Sequence, residues 1–200
     1  MKKNLKIAII IIIAICIIVP MSVVAYNNYQ YNKEQADFNN TMKKVSDMEN
    51  KTDHETDELL INRTVTIAQV QAANNKTINT GNEEIELLQN LSKNMTNETL
   101  KNYTDIEIER LTAENKAWEL EIEDGNALHN YYHGKGSISE VTEKTNQLTT
   151  YTDSTDDKKM EAEQYLTRNP ELKDRLNNLG IDEDFLETQR EDYSNCNIIY

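Results

Sequence analysis

Glycine and proline are scarce in this sequence, with five glycines and two prolines among 200 residues. Both residue types end helices and make tight turns, so long segments without them favour helix over sheet. Residues 21–80, 82–124 and 137–169 contain neither type. We therefore predict an all-α protein with almost no strand.

Cysteine is scarce as well, because Cys16 lies in an apolar run and Cys196 lies near the C-terminus, with no others between them. Two thiols so placed exclude a disulfide framework of the kind that stabilises small secreted domains. The sequence also lacks a glycine-rich phosphate loop, a paired-cysteine motif and a nucleophile elbow. We predict that the protein is not an enzyme, with no catalytic residue and no cofactor.

Basic residues are outnumbered throughout most of the chain. Residues 1–25 contain three of the 21 basic residues and none of the 35 acidic ones, which leaves a net charge of −17 on residues 26–200. Nucleic acids are polyanions and repel a surface of that sign. This charge excludes nucleic acid as a predicted partner.

The most prominent feature present is an uncharged apolar run over residues 7–25, preceded by Lys2, Lys3 and Lys6. At ~1.5 Å per residue, a helix of this length crosses about the thickness of a hydrocarbon core. We predict a single-pass membrane anchor, with residues 1–6 as a cytoplasmic basic tail and the remaining chain outside the cytoplasm. The alternative is a cleaved signal peptide, which also places the rest of the chain outside the cytoplasm.

The glycines divide the polar part of the chain, residues 26–169, into predicted helices. The first two, about residues 26–79 and 83–132, are joined by a turn near residues 79–82. Gly81 would be the tip of an antiparallel hairpin, because glycine adopts the left-handed conformation that a helix end requires. In such a hairpin Leu60 lies near Asn102, and Val45 lies near Lys116 or Ala117.

A second turn is predicted near residues 133–137, and a third helix follows it. Ser137 and Glu140 have the spacing of a capping box at the start of that helix. Pro170 ends it, and residues 170–200 are predicted to form short C-terminal helices and a tail, with Gly180 between two helices. The prediction is therefore an elongated, coiled-coil-like three-helix bundle outside the membrane.

Apolar residues recur in the predicted helices at alternating steps of three and four, which indicates a narrow buried seam. Several seam positions are polar, notably Glu49, Thr52 and Thr56. Because the acidic body also has low hydrophobicity, partial disorder is the alternative. The predicted seam is Phe38, Met42, Val45, Glu49, Thr52, Thr56 and Leu59 in the first helix, Ile85, Leu88, Leu91, Met95, Tyr103, Ile106 and Leu111 in the second, and Ile138, Val141, Thr145, Leu148, Thr152, Thr155, Lys159, Ala162 and Leu166 in the third.

Asparagine followed two residues later by serine or threonine, the acceptor motif for N-glycosylation, occurs eight times within residues 39–102. At ~100° per residue, Asn90, Asn94 and Asn97 would share one solvent-facing side of the second helix. The alternative is an asparagine- and threonine-rich chain in a cell without glycosylation machinery. The predicted acceptors are Asn39, Asn50, Asn62, Asn75, Asn90, Asn94, Asn97 and Asn102.

The pair His129 and His133 has the i, i+4 spacing that places two imidazoles on one face of a helix. The sequence fixes no third ligand beside them. We predict no metal site and retain this pair as its candidate, the alternative being a solvated turn.

Two function classes fit these features. The first is a membrane-anchored structural stalk, spacer or interaction module at the cell surface. Its partners are the lipid bilayer, through residues 7–25, and another helical protein or a second copy of the chain. The second is an extracytoplasmic, sensor-like helical bundle that binds a small ligand, with a secreted helical protein as a variant after signal cleavage.

Overall fold

The computed structural model describes the backbone of residues 2–60, 64–181 and 197–199, and the side chains of residues 23–59 and 64–181. Helices account for most of these residues, which confirms the all-α prediction, and a short pair of strands accompanies them. The elements in chain order are α1 (Lys2–Leu60), β1 (Thr64–Thr66), α2 (Ile67–Ser92), α3 (Glu98–Tyr132), α4 (Ile138–Arg168), α5 (Pro170–Asn178) and β2 (Asn197–Ile199).

The chain forms two compact units, residues 1–38 and residues 39–200. The first unit is the N-terminal part of α1. Among the residues that the structure describes, no helix has an uncharged apolar segment long enough to cross a membrane. The side chains of most of the predicted anchor, residues 7–22, lie outside the described part, so the anchor stays a prediction.

In the described residues of the second unit, the four longest helical segments, the end of α1 with α2, α3 and α4, run alternately up and down. Contacting residue numbers rise along one helix as they fall along the next, which shows that α2 is antiparallel to α1, α3 to α2, and α4 to α3. An up-down-up-down bundle with short connections follows. The contacts are Thr52–Thr80 and Glu55–Lys76, Gln71–Asn126 and Ser92–Asp105, and Lys144–Glu123 and Tyr165–Thr99.

The predicted hairpin at Gly81 is wrong, because this glycine is buried within the continuous helix α2. A Cβ atom at this position would lie 2.3 Å from the Asn115 Oδ1 atom of α3. The glycine therefore serves close helix packing and not a chain reversal. Because α1 is parallel to α3, the pairing of Val45 with Lys116 that the hairpin requires is also wrong, and the Leu60 side chain lies outside the described part.

The actual reversals between the first three helices need no glycine. The α1–α2 connection ends at Thr66, which forms a capping box with Gln69. The α2–α3 connection ends at Asn97, whose side chain accepts a hydrogen bond from the Leu100 amide at 3.1 Å. Asparagine and threonine caps satisfy free amides at a helix start, and here they begin α2 and α3.

The predictions for the later connections are confirmed in most details. The turn at residues 133–137 is present, with Gly134 at φ +69°, and the Ser137 hydroxyl accepts from the Glu140 amide at 3.2 Å. Pro170 is the first residue of α5, and Gly180 has φ +73° after it. The second short helix predicted beyond Gly180 falls in residues 182–196, outside the described part.

The predicted seam largely coincides with the observed core. In α1, Met42 and Val45 are 1% exposed, and Thr52 and Thr56 are buried as well. Ile138 and Thr145 are exceptions: Ile138 is 60% exposed in the first turn of α4, and Thr145 is exposed as well. Other predicted positions that are buried are Phe38, Leu88, Leu91, Met95, Tyr103, Leu111, Val141, Thr155, Ala162 and Leu166.

The two strands form a short parallel ladder that sequence patterning did not predict. Val65 pairs with Ile198, so the C-terminal strand joins the α1–α2 connection. Val65 itself is 2% exposed. The ladder ties the C-terminus to the first chain reversal of the bundle.

Candidate functional site

A charged side chain, Arg110 of α3, occupies the interior of the bundle with 0% exposure. Its neighbours Glu107 and Glu114 lie three residues before and four after it, so all three share one face of the helix. Arg110 Nε donates to Glu107 Oε2 at 2.8 Å, and Nη1 donates to Glu114 Oε2 at 2.9 Å. One arginine is thus paired twice within its own helix.

A third carboxylate reaches Arg110 from α1. Glu49 accepts two hydrogen bonds from the guanidinium, from Nη1 at 3.1 Å and from Nη2 at 3.3 Å. Burial alone would lower the pKa of Arg110, but Glu49, Glu107 and Glu114 raise it well above its ordinary value. Arg110 therefore stays charged, and its fork geometry joins α1 to α3 through the core.

Two further acids surround this group, Glu84 of α2 and Asp53 of α1. Burial raises the pKa of Glu84 to about 7 and that of Asp53 to about 6, and neighbouring carboxylates add to both shifts while Arg110 opposes them. Burial likewise raises the pKa of Glu49 to about 8 against the attraction of Arg110. The cluster therefore contains acids that bind protons near neutral pH.

A cavity of about 20 Å³ adjoins these acids. Glu84, Asp53 and Trp118 are among its lining residues, and the Thr52 and Thr80 hydroxyls meet at 3.1 Å beside it. Within the described part of the chain, neither Glu84 Oε1 nor Trp118 Nε1 has a hydrogen-bond partner. A space of this size holds a water molecule but no metabolite.

Helices α2 and α3 approach closely at Gly81, which also lines the cavity. Asn115 fills the space over the glycine and is 8% exposed. Its Nδ2 atom donates to the Ile78 carbonyl at 3.3 Å and to Asn82 Oδ1 at 3.2 Å. This asparagine positions α2 against α3, and Glu84 follows Gly81 by one helical turn on the same side.

The histidine pair lies away from this cluster, at the C-terminal end of α3. The His129 and His133 rings are 4.2 Å apart between centroids, and His133 Nδ1 lies 2.9 Å from the His129 carbonyl oxygen. Within residues 23–59 and 64–181, no three His, Cys, Asp or Glu side chains are grouped so as to hold a metal ion. The pair therefore gains no third ligand in this part of the chain.

The predicted glycan acceptors do not form the single helical face expected of Asn90, Asn94 and Asn97. Helix α2 ends at Ser92, and Asn97 caps α3 with its own side chain. Asn62 lies outside the described residues. The other acceptors divide into Asn39, which is half-buried, and Asn50, Asn75, Asn90, Asn94 and Asn102, which are exposed. Glycosylation itself stays a prediction.

Sequence reasoning placed Glu49 on the seam but missed the cluster around it. A signal was present, because Glu107, Arg110 and Glu114 also recur at steps of three and four, as buried seam residues do. Glu84 similarly precedes Leu88 and Leu91 at seam spacing. Charges of both signs at seam positions on different helices indicate a buried ion-pair network.

No protein-family model, curated protein or solved structure matches the chain.

Proposed function

We propose that the protein is a membrane-anchored structural or interaction module, held by residues 7–25, with its helical bundle outside the cytoplasm. The observation that carries this proposal is the residue pattern at the end of the uncharged run and directly after it. Val23 and Val24 are 51% and 58% exposed, and Tyr26, Tyr29 and Tyr31 are 54–64% exposed. A group of neighbouring apolar and aromatic side chains so exposed is typical of a surface that binds a partner or a membrane.

The arrangement of the tyrosines favours a bilayer over a protein as that partner. At ~100° per residue, the three rings point in directions separated by roughly 60°, 140° and 160° around α1. A helix packed on a protein surface concentrates its large side chains on one side. Tyrosines on all sides are typical of the headgroup level of a membrane, where an aromatic ring and a hydroxyl are both accommodated.

A spacer or interaction role for the bundle is supported by the nature of its core. The charged cluster joins α1, α2 and α3, and its cavity excludes a metabolite by size. Binding in this role would use outer helix surfaces, to another helical protein or to a second copy. The sensor-like alternative is favoured by one observation, the buried carboxylates of the same cluster, which suit a proton or other very small cation.

The two natural cysteines test the anchored topology without any substitution. In intact native cells, a membrane-impermeant maleimide should label Cys196, since the proposal places it outside the cytoplasm, and should leave Cys16 unlabelled within the bilayer. The matched control, Cys196→Ser, should abolish the labelling. Labelling of Cys196 only after permeabilisation would contradict the proposed orientation.

The interaction role is tested separately by the mass of the full chain in detergent. A stoichiometric oligomer or a co-purifying helical partner supports the module. A monomer without partner, whose stability rises with a small cation or with protons, supports the sensor-like alternative.

A further inference from the structure

We infer that the centre of the bundle is a proton-binding site, in which Glu84 and the adjacent carboxylates hold protons that stabilise the packing of α1, α2 and α3. The inference concerns the bundle alone and does not depend on the proposed anchor. Its geometric basis is an excess of buried acid over base, an unpartnered carboxylate oxygen and a cavity that gives access to it.

The charge excess is large for a protein interior. Glu84 and Glu107 are 2% and 1% exposed, and the Glu49 and Glu114 side chains are 12% and 17% exposed. Asp53 is half-buried beside them. Five carboxylates thus share one fully buried cation, and an unneutralised buried carboxylate is strongly unfavourable.

Neighbouring elements do not supply the missing positive charge. Glu84 faces Glu49 and Asp53 from α1, Arg110 and Glu114 from α3, and Glu83 from its own helix. Asp53 faces Asp57 on α1 and a half-buried lysine of α4, Lys159. Even with this lysine included, acids outnumber bases among the groups that face the cavity. Bound protons neutralise the carboxylates that these bases leave unpaired.

Glu84 is the residue that marks the site. Its Oε1 atom has no hydrogen-bond partner in the described structure although the side chain is almost fully buried, and the residue lines the cavity. The hydrogen bonds described for the Arg110 guanidinium go to Glu49, Glu107 and Glu114. An ionised Glu84 would leave its buried Oε1 atom charged and without a donor, whereas a protonated Glu84 is neutral and carries its own donor.

The direction of the pH dependence follows from linkage. The folded-state pKa values of Glu84 and Asp53 are raised to about 7 and 6, so the folded state binds more protons than the unfolded state between the ordinary carboxyl range and these values. Their stabilising contribution is complete below the unfolded pKa values and is lost as pH rises through the folded ones. The bundle should therefore weaken from mildly acidic to mildly alkaline pH.

The experiment is urea unfolding of the full chain in detergent micelles, between about pH 5.5 and about pH 8.5. Trp118, the single tryptophan, lines the cavity and reports bundle unfolding by fluorescence. The unfolding constant should increase with pH, by up to about tenfold per pH unit for each proton released. Glu84→Gln keeps the shape of a neutral Glu84, so it should flatten this slope by up to one proton and stabilise the bundle at the alkaline end.

The matched control is Glu86→Gln, which removes the same charge from an exposed position two residues further along α2. Its pH slope should equal that of the wild type. A second readout is the carboxyl carbon shift of Glu84 in the labelled full chain, which should titrate near neutral pH.

Three outcomes would overturn the inference. One is a pH-independent unfolding constant over this range. Another is a Glu84→Gln variant whose stability changes equally at every pH, since that would indicate a purely structural role. The third is stabilisation by sodium or potassium over choline at equal ionic strength and pH, lost in Glu84→Gln, which would identify a metal cation as the occupant.

Discussion

Gly81 occupies a position in α2 where any side chain would overlap Asn115. The Cβ of an alanine would lie 2.3 Å from Oδ1 and 2.9 Å from Cγ of that asparagine. Asn115 is buried and holds two hydrogen bonds to α2, so it has little freedom to move aside. Glycine is retained here for close helix approach, at the cost of its lower helix propensity.

Gly81→Ala should destabilise the bundle by about 1–2 kcal/mol, because overpacking of ~1–3 kcal/mol exceeds the helix-propensity gain of ~0.5–1 kcal/mol. Urea unfolding followed by Trp118 fluorescence measures the change.

Gly125→Ala is the matched control for that substitution. It lies inside α3, and its added Cβ would meet Ile67 at an ordinary 3.5 Å. We expect a stabilisation of about 0.5–1 kcal/mol there. Equal effects of the two substitutions would contradict the proposed role of Gly81 in packing against Asn115.

For single residues, the sequence predicted which apolar side chains are buried better than it predicted which charged side chains pair in the core. Met42 and Val45 could be assigned to the core because an apolar side chain at seam spacing has one favourable location. Arg110 could not, because its burial depends on Glu49, which lies 61 residues away in sequence and in another helix. Only the assembled bundle shows that these two charges neutralise each other.

Among the secondary-structure elements, the α2–α3 connection shows how this chain reverses without glycine. Residues 93–97 separate the two helices, and Asn97 begins α3 as its N-cap, with Glu98 in the first turn. The asparagine satisfies a free amide, and the acid interacts favourably with the helix dipole. The positions of the glycines were therefore a poor guide to where the helices end, since Gly81 and Gly125 both lie inside helices.

Asn97→Ala should cost about 1 kcal/mol of unfolding free energy, the usual effect of losing an N-cap side chain. Denaturant unfolding of protein produced without glycosylation isolates this effect from any glycan. Asn94→Ala is the control, since this residue is exposed, does not lie at a helix start, and uses its side chain to donate to the Asn90 carbonyl near the end of α2. A cost at position 94 as large as at position 97 would count against the capping role.

For the whole molecule, the sequence predicted an all-α fold with a narrow apolar seam that includes polar positions, but the wrong number of bundle helices. Three breaker-free runs suggested three helices, whereas the second unit packs four. The difference arises because the first run, residues 21–80, contains the end of α1, strand β1 and half of α2. The start of α2 has the capping box of Thr66 with Gln69, and tertiary contacts such as Thr52 with Thr80 pack α2 against α1; helix propensity reports neither.

The last prediction concerns how the proposed anchor meets the bilayer. Tyr26, Tyr29 and Tyr31 should lie at the headgroup level, just beyond the uncharged run. Trp118→Phe removes the natural tryptophan, and Tyr29→Trp then introduces a fluorophore at the proposed interface. In lipid vesicles, a quencher attached to the headgroup should reduce its emission strongly.

Tyr151→Trp in the same background is the matched control, because Tyr151 is 40% exposed on α4 in the bundle. A tryptophan there faces water and should be quenched by a soluble agent but only weakly by the headgroup quencher. If both positions respond equally to the lipid-attached quencher, the bundle itself lies on the membrane and the tyrosines do not define its interface. If neither responds, residues 7–25 do not hold the chain in the bilayer, and the anchored proposal is wrong.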